Sequence, residues 1–542
     1  MKKILVVLLA LAVTFSVAAG SNRDSSPSSG SASGSAARTS RDTVIWGENI
    51  AAQGVFHPTV NTSDADRRVV LLVFNRLVAT DPSGNYIPEL AESWTVSPDA
   101  TNVTFRLRRD VKWTDGQSFT ADDVAFTYET LAHARFVRGN DEFSKKLLGF
   151  ADYNAGRTAH VAGVRVIDTY TVSFTFDGPY RDAMVKFIDQ GVFAKHIWEK
   201  VPVEGWLDAT ELLRNPVGTG PYKVTQYVPD QYTRLVANDS YFNGAPVIKN
   251  FILQVSNPNT RPLELRNGDL DIARVANWTD RELKPYNDAG IGIAEVKAIM
   301  VYYLVFNTTD RNFSDPILRQ AIFASLDRTA IIRAIENGHA VTSETLLQPT
   351  QKVYPQDIEK YTYDVNKAKS LLAQAGWRDT NNDGIVDKNG QNLRITLRYD
   401  NVDDTDLAVL VQSYIKAVGV DIEIIGSDFN TVLSTLRSTT DPFELAFMGA
   451  TYRPNPGNGG GHRWMARYND PEELRLFEIA NGSGTDAEAL AAWGAWGKYV
   501  HQQLPIGVLY FKSTGYAFNP KLVGFEPTAT EYFPNVEKWY FK

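Results

Sequence analysis

The chain has 542 residues, 43% hydrophobic and 11% aromatic, so it can bury a large core and is long enough for more than one domain. It holds no cysteine, which excludes disulfides, thiolate nucleophiles and cysteine-ligated metal or iron–sulfur sites. Its formal net charge of −8, or −10 once Lys2 and Lys3 are removed, argues against a nucleic-acid partner, because affinity for a phosphate backbone comes from Lys and Arg.

In chain order, Lys2 and Lys3 precede an uncharged apolar run that ends in Ala18, Ala19 and Gly20. Residues 1–20 therefore have the layout of a secretory signal peptide, and the run is shorter than the roughly 20 apolar residues of a membrane-crossing helix. Residues 21–42 offer no large apolar side chain to bury and are expected to form a disordered tether with a span on the order of 25 Å. Short β-branched and aromatic runs predict strands over 43–46 and 103–107, with a helix over 64–77 capped by Asp64 between them. A second helix, 121–132, opens on Asp122 and Asp123, whose charges suit the positive end of its dipole. Strands at 164–166, 171–176, 222–227, 234–237 and 248–255 alternate with short helices. The second half places helices at 316–325, 329–337, 365–375, 407–417, 430–437 and 486–504, several of them separated by strands at 393–399, 420–425 and 445–448. That βαβ spacing implies partly parallel pairing in a mixed α/β chain without internal repeats.

Catalytic motifs are missing from this pattern. The seven histidines, at 57, 133, 160, 196, 339, 462 and 501, include no pair at the i, i+4 spacing of a zinc helix. Gly218-Thr219-Gly220-Pro221 has no following Gly-Lys-Ser or Gly-Lys-Thr to grip a phosphate and reads as a turn into the strand at Tyr222. No Gly-x-Ser-x-Gly elbow is present. Asp379, Asn381, Asp383, Gly384, Ile385 and Asp387 fall at positions 1, 3, 5, 6, 7 and 9 of a calcium-loop pattern, but position 12 is Gly390 instead of a bidentate Glu. An Asx-rich surface turn is the preferred reading, and a structural calcium on Asp379, Asn381, Asp383, Ile385 and Asp387 the alternative. No other cofactor is expected.

Pro88-Glu89-Leu90-Ala91-Glu92-Ser93-Trp94, Val103-Thr104-Phe105-Arg106-Leu107-Arg108, Val111-Lys112-Trp113-Thr114-Asp115-Gly116 and Phe119-Thr120-Ala121-Asp122-Asp123-Val124 together resemble the long signature of family 5 extracellular solute-binding proteins, the peptide- and nickel-binding family. The resemblance continues through Gly218-Thr219-Gly220-Pro221-Tyr222, Phe306-Asn307, Leu318-Arg319-Gln320-Ala321-Ile322, Asp327-Arg328, Tyr363-Asp364-Val365 and Ala373-Gln374-Ala375-Gly376-Trp377. The aromatic residues of the signature, Trp94, Phe105, Trp113 and Phe126, read as core and not as ligand contacts.

The resemblance implies a two-lobed α/β periplasmic-binding-protein fold of type II, cluster C, with an extra domain in the amino-terminal lobe. Lobe I is expected at 43–82, 206–297 and 510–542, the extra domain at 83–205 and lobe II at 298–509, with two crossing strands joining the lobes. It further implies a monomeric substrate-binding component of an ABC importer that is exported, closes on an oligopeptide and delivers it to permease subunits. Lipidation in this family requires a thiol, so a membrane tether is expected only if the natural residue 21 is Cys in place of Ser21. Expected ligand contacts are Asn61, Thr62, Thr451, Tyr452, Arg453 and Trp464. Dipeptide and enterobacterial oligopeptide binders carry an Asp after the strand at 445–448 for the ligand's α-amino group. Here the stretch Gly449-Ala450-Thr451-Tyr452-Arg453-Pro454-Asn455-Pro456 has no acid and is closer to Gram-positive oligopeptide binders, which favours longer peptides and a free amine that adds little. The alternative ligand is an oligosaccharide stacked on Tyr452, Trp464, Trp493 and Trp496, although the i, i+3 spacing of the last two suits a helix packed into the core. A secreted hydrolase is the third reading, and no nucleophile or carboxylate pair supports it.

Overall fold

The computed structural model describes residues 41–542 apart from 82–84, 181, 350, 402–403, 452–460, 483–485 and 530. The expected signal peptide lies outside the described residues, as does the tether up to residue 40. Residues 41 and 42, expected to belong to the tether, are held against the folded body. Arg41 pairs with the buried Asp271 carboxylate at 2.8 Å and lies over the Phe541 ring, while the Asp42 carbonyl accepts from the Lys249 and Asn250 amides. Charge and backbone pairing order these two residues, which bring no apolar bulk of their own.

The main sheet of the described residues has eleven strands. From one edge they run Asp421–Ser427, Arg394–Asp400, Leu445–Thr451, Gly292–Phe306, Ile506–Phe518, Ile272–Arg274, Thr43–Glu48, Asn250–Val255, Tyr232–Ala237 and Tyr222–Val228, with Ala340–Val341 paired to Ile506–Phe518. Thr43–Glu48 is parallel to both Asn250–Val255 and Ile272–Arg274, and Arg394–Asp400 is parallel to both Asp421–Ser427 and Leu445–Thr451. The βαβ spacing in the sequence therefore translates into parallel pairs in each half.

Two separate sets of cores flank the long strands. Buried residues from Val44 to Val296, rejoined by Tyr516 to Trp539, form one core, with a smaller cluster around Leu265, Tyr286 and Ala517. Residues from Val301 to Phe511 form two others. Leu304 and Phe306 feed one and Tyr303 and Val305 the other, as the two-residue period of a strand requires. The molecule thus has an amino-terminal and a carboxy-terminal lobe, joined by Gly292–Phe306 and Ile506–Phe518.

Within the amino-terminal lobe a four-stranded antiparallel sheet, Ala91–Val96, Asn102–Leu107, Thr171–Thr175 and Val164–Asp168, packs on helix Ala121–Ala132. Here the signature residues have a local purpose. Asp123, at the third helical position, accepts from the Thr120 amide at 3.0 Å, from the Lys195 amide at 3.0 Å and from the Trp113 indole at 3.3 Å. One carboxylate thereby caps the helix and ties three segments together. The helix predicted over 64–77 ends at Val73, because the Val73 carbonyl accepts the Gly220 amide at 2.8 Å and Phe74 turns to extended backbone. Its cap is Ser63 and not Asp64. A Cβ on Gly218 would overlap that same carbonyl, so Gly218 serves close backbone contact and not a phosphate.

Candidate functional site at the strand crossing

The two long strands are interrupted twice, by a one-residue register shift between Tyr302 and Tyr303 and by a larger break where the lobes meet. Val296 stands opposite Thr514, and the next pair is Met300 with Lys512, so three residues on one strand face one on the other. Such a bulge breaks the ladder and bends it where the lobes meet. Ligands of open α/β sheets bind beyond the carboxyl ends of parallel strands. Those ends in the amino-terminal lobe are Glu48, Val255 and Arg274, and the crossing lies beside the last of them.

Several groups on the amino-terminal side are held firmly. Glu48 is buried and pairs with Arg68 at 2.8 Å. Burial raises its carboxyl pKa, and Arg68 acts against that rise. Arg68 in turn lies over Trp46 and Tyr532. Past Glu48 the chain enters a loop in which Ile50 is 73% exposed, and the fully buried Asp66 fixes its far end. One Asp66 oxygen accepts the amides of Gln53, Gly54 and Val55 at 2.9, 3.0 and 3.4 Å. Burial nevertheless raises the Asp66 pKa, with those three bonds opposing it. On the carboxy-terminal side Lys512 pairs with Glu336 at 3.1 Å and sits over Tyr302, which stacks on Tyr510. Burial raises the Glu336 pKa against the pull of Lys512.

A second group of contacts joins the lobes beside the crossing. Trp278 stacks on His339 with ring centres 4.0 Å apart and donates its indole N–H to the Ser513 carbonyl. His339 Nδ1 lies 3.3 Å from Glu295, and Asn337 donates to the Trp278 carbonyl and to Asp280. Away from the crossing, Lys352 Nζ reaches Asn85 Oδ1 at 3.1 Å.

The expected ligand residues do not all come together. Thr451 reaches the crossing, its backbone opposite Met300. Tyr452 and Arg453 lie outside the described residues. Asn61 donates to the His57 carbonyl at 2.7 Å and lines a different cavity, of about 310 Å³, shared with Arg67, Arg138 and Lys186. Thr62 is exposed at the approach to helix Asp64–Val73. Trp464 is 43% exposed with the Arg437 guanidinium over its ring. Trp493 and Trp496, by contrast, are 2% and 0% exposed and packed against each other and Phe477, so neither offers a face to a sugar.

A polar anchor near Trp464 gave no signal in the sequence. Glu473, fully buried, accepts from Arg463 at 2.6 and 2.9 Å and from the Trp496 indole at 2.6 Å, and lies 3.3 Å from His462 Nε2. Burial pushes the Glu473 pKa up, but its hydrogen bonds and the neighbouring charges win and hold it down at about 2. The carboxylate thereby fixes the short helix His462–Met465 that follows residues 452–460. Ten residues separate Arg463 from Glu473, and no helical or strand period links them.

The loop supports the turn reading in preference to the calcium alternative. Asp387 accepts from the Thr380 amide and hydroxyl, Asp379 from the Gly384 amide, and Asp383 from Ile385, Asn381 and Asn392. Asp379, Asp383 and Asp387 form no group that could hold a metal, and neither do any other acidic or histidine side chains among the described residues. With Asn381 and Ile385 they build the Asx-rich turn, in which Asn381 and the three carboxylates accept from the loop's own donors.

The family model described as bacterial extracellular solute-binding proteins, family 5 middle, matches residues 85–471. The chain is 26% identical over 554 residues to the oligopeptide-binding protein AppA of Bacillus subtilis, covering 98% of this chain and 97% of AppA. The structure of that AppA in complex with a nonapeptide superposes with a TM-score of 0.72 at 24% identity, over 93% of this chain and 99% of AppA. The substrate-binding protein CtaP of Listeria monocytogenes superposes with a TM-score of 0.81 at 22% identity, over 93% of this chain and 99% of CtaP.

Proposed function

Because the chain belongs to the family 5 bacterial extracellular solute-binding proteins, we propose that it captures oligopeptides at the strand crossing and delivers them to the permease subunits of an ABC importer. The observation that carries this reading is the pair of separately cored lobes joined through two strands that are bulged at the point of contact. Such a joint lets ligand binding shift an open population to a closed one, and the ligand's differential affinity for the closed form does all the work. Binding alone is required, so no catalytic group enters the mechanism.

A peptide suits this place for a reason of backbone chemistry. Strand Leu445–Thr451 and the loop after Glu48 bring main chain to the crossing from both lobes, and every peptide offers the same amide donors and acceptors to main chain. Thr451, Tyr452 and Arg453 remain the proposed ligand contacts at the crossing, with Asn61, Thr62 and Trp464 proposed only as outlying contacts that the crossing does not gather, lobe boundaries at 297/298 and 509/510 and the extra domain at 83–205. Export fits the family's extracellular setting, and a lipid anchor requires Cys at position 21.

Native mass spectrometry of the full chain, purified without refolding, tests the reading. Adducts that fragment as peptides, displaced by added hexapeptides with a rise in melting temperature, are the expected result. Adducts that fragment as oligosaccharides, with no response to any peptide, would overturn it.

A further inference from the structure

Arg274 closes strand Ile272–Arg274 and pairs in register with Tyr516 on the crossing strand. Ile272 belongs to the core that contains Tyr516, while Ala273 belongs to the cluster on the opposite face. By strand alternation Arg274 lies on the face of Ile272, one step further toward the crossing. The residue is half-buried, and its one side-chain hydrogen bond among the described residues is to the Met300 thioether, Nη2 to Sδ 3.9 Å. Met300 is the first residue paired after the bulge and stands opposite Thr451.

Among the described residues no carboxylate pairs with Arg274. Acids on the neighbouring strands and beside the crossing have partners of their own: Glu48 with Arg68 at 2.8 Å, Asp271 with Arg41 at 2.8 Å, Glu295 with His339 at 3.3 Å and Glu336 with Lys512 at 3.1 Å, while Glu282 accepts from the Ala276 amide at 3.4 Å. A thioether is a weak acceptor, so most of the donor capacity of this half-buried guanidinium has no partner among the described residues. The planar fork of Arg matches a carboxylate in bidentate fashion.

We infer that Arg274 is a specificity-determining anchor that receives a carboxylate of the bound peptide at the lobe crossing. The inference rests on the peptide reading of the cleft and deepens it: the preferred ligands present an anionic group there, either the C-terminal carboxylate or an Asp or Glu side chain. Phe, Leu or Lys at the same ligand position leaves the guanidinium without a partner. Since the side chain contributes one weak bond to the protein itself, its replacement leaves the fold intact.

Isothermal titration of the full chain with matched hexapeptides tests this. One pair differs by a free or amidated C-terminus, the other by Glu or Gln at a single position, and each pair is measured on wild type, Arg274→Gln and Arg274→Lys. Charge-assisted bonds of this kind change affinity by about tenfold or more. The expected result is such a loss on neutralising one of the two carboxylates in wild type, a loss within about twofold of nothing in Arg274→Gln, and an intermediate effect in Arg274→Lys. The pair that responds identifies which carboxylate is held. If peptides bind wild type but neutralisation changes nothing, or changes Arg274→Gln as much as wild type, the anchor falls and the peptide reading stands. If no peptide binds wild type, both fall together.

Discussion

Replacing Glu473 by Gln removes the one negative charge among His462, Arg463 and the Trp496 indole. The size of the effect follows from the carboxyl itself. Its pKa lies at about 2 in the folded chain against 4.5 for a free group, and a pKa difference of one is 1.36 kcal/mol, so the charge contributes about 3 kcal/mol at neutral pH. That agrees with the 3–5 kcal/mol typical of breaking a buried ion pair. The sign is that of a depressed acid: the contribution is complete above about pH 4.5 and is lost as pH falls toward 2. Urea denaturation followed by tryptophan fluorescence, at pH 7 and pH 3, is the appropriate assay. Glu473→Gln is expected to lose about 3 kcal/mol at pH 7 and roughly 2 kcal/mol less than that at pH 3. A loss below about 1 kcal/mol at pH 7, or one that grows as the pH is lowered, would refute the reasoning.

Asp66→Ala strips the acceptor from the Gln53, Gly54 and Val55 amides and is expected to lower stability by about 2 kcal/mol and to speed amide exchange at those three positions, read by hydrogen–deuterium exchange. Gly218→Ala forces a methyl onto the Val73 carbonyl and is expected to lower the melting temperature by several degrees, whereas Gly116→Ala, whose Cβ meets nothing, is limited to the strain of its positive φ. Trp278→Ala removes the stack on His339 and the bond to Ser513, so the balance of open and closed forms is expected to move, seen as a changed radius of gyration in solution scattering without ligand. Addition of calcium after chelation is expected to leave the melting temperature within about 1 °C, because the carboxylates at 379–387 already serve as acceptors for the loop; a larger rise would restore the metal reading.

Elements with a clear period and a stop signal are legible in the sequence. Helix Ala121–Ala132 has the predicted bounds, and helix Asp486–Gln503 ends one residue early, where Leu504 takes a positive φ before Pro505. The long strands are harder to read. In Ile506–Phe518 almost every residue is buried, so the polar alternation that marks a half-exposed strand is absent. The site was legible only in outline. Thr451 follows a predicted strand that the structure extends to include it, while Arg274 carries no motif. Its isolation becomes apparent only when the partners of Glu48, Asp271, Glu295 and Glu336 are known, and those partners come from as far as 230 positions away. The same holds for Glu473, whose neighbours come from two other helices with no shared period.

The core of the first lobe is completed by the last residues of the chain. Trp46 packs on Tyr516, Phe525 and Phe533 at ring distances of 5.4, 5.9 and 5.3 Å. Trp46 is therefore made roughly 470 residues before its partners, and at about 5–20 residues per second it waits on the order of 20 to 90 s for them. The second lobe, whose cores end at Tyr510 and Phe511, has all its parts while the first still lacks its closing tail. Order of synthesis and order of completion are thus reversed.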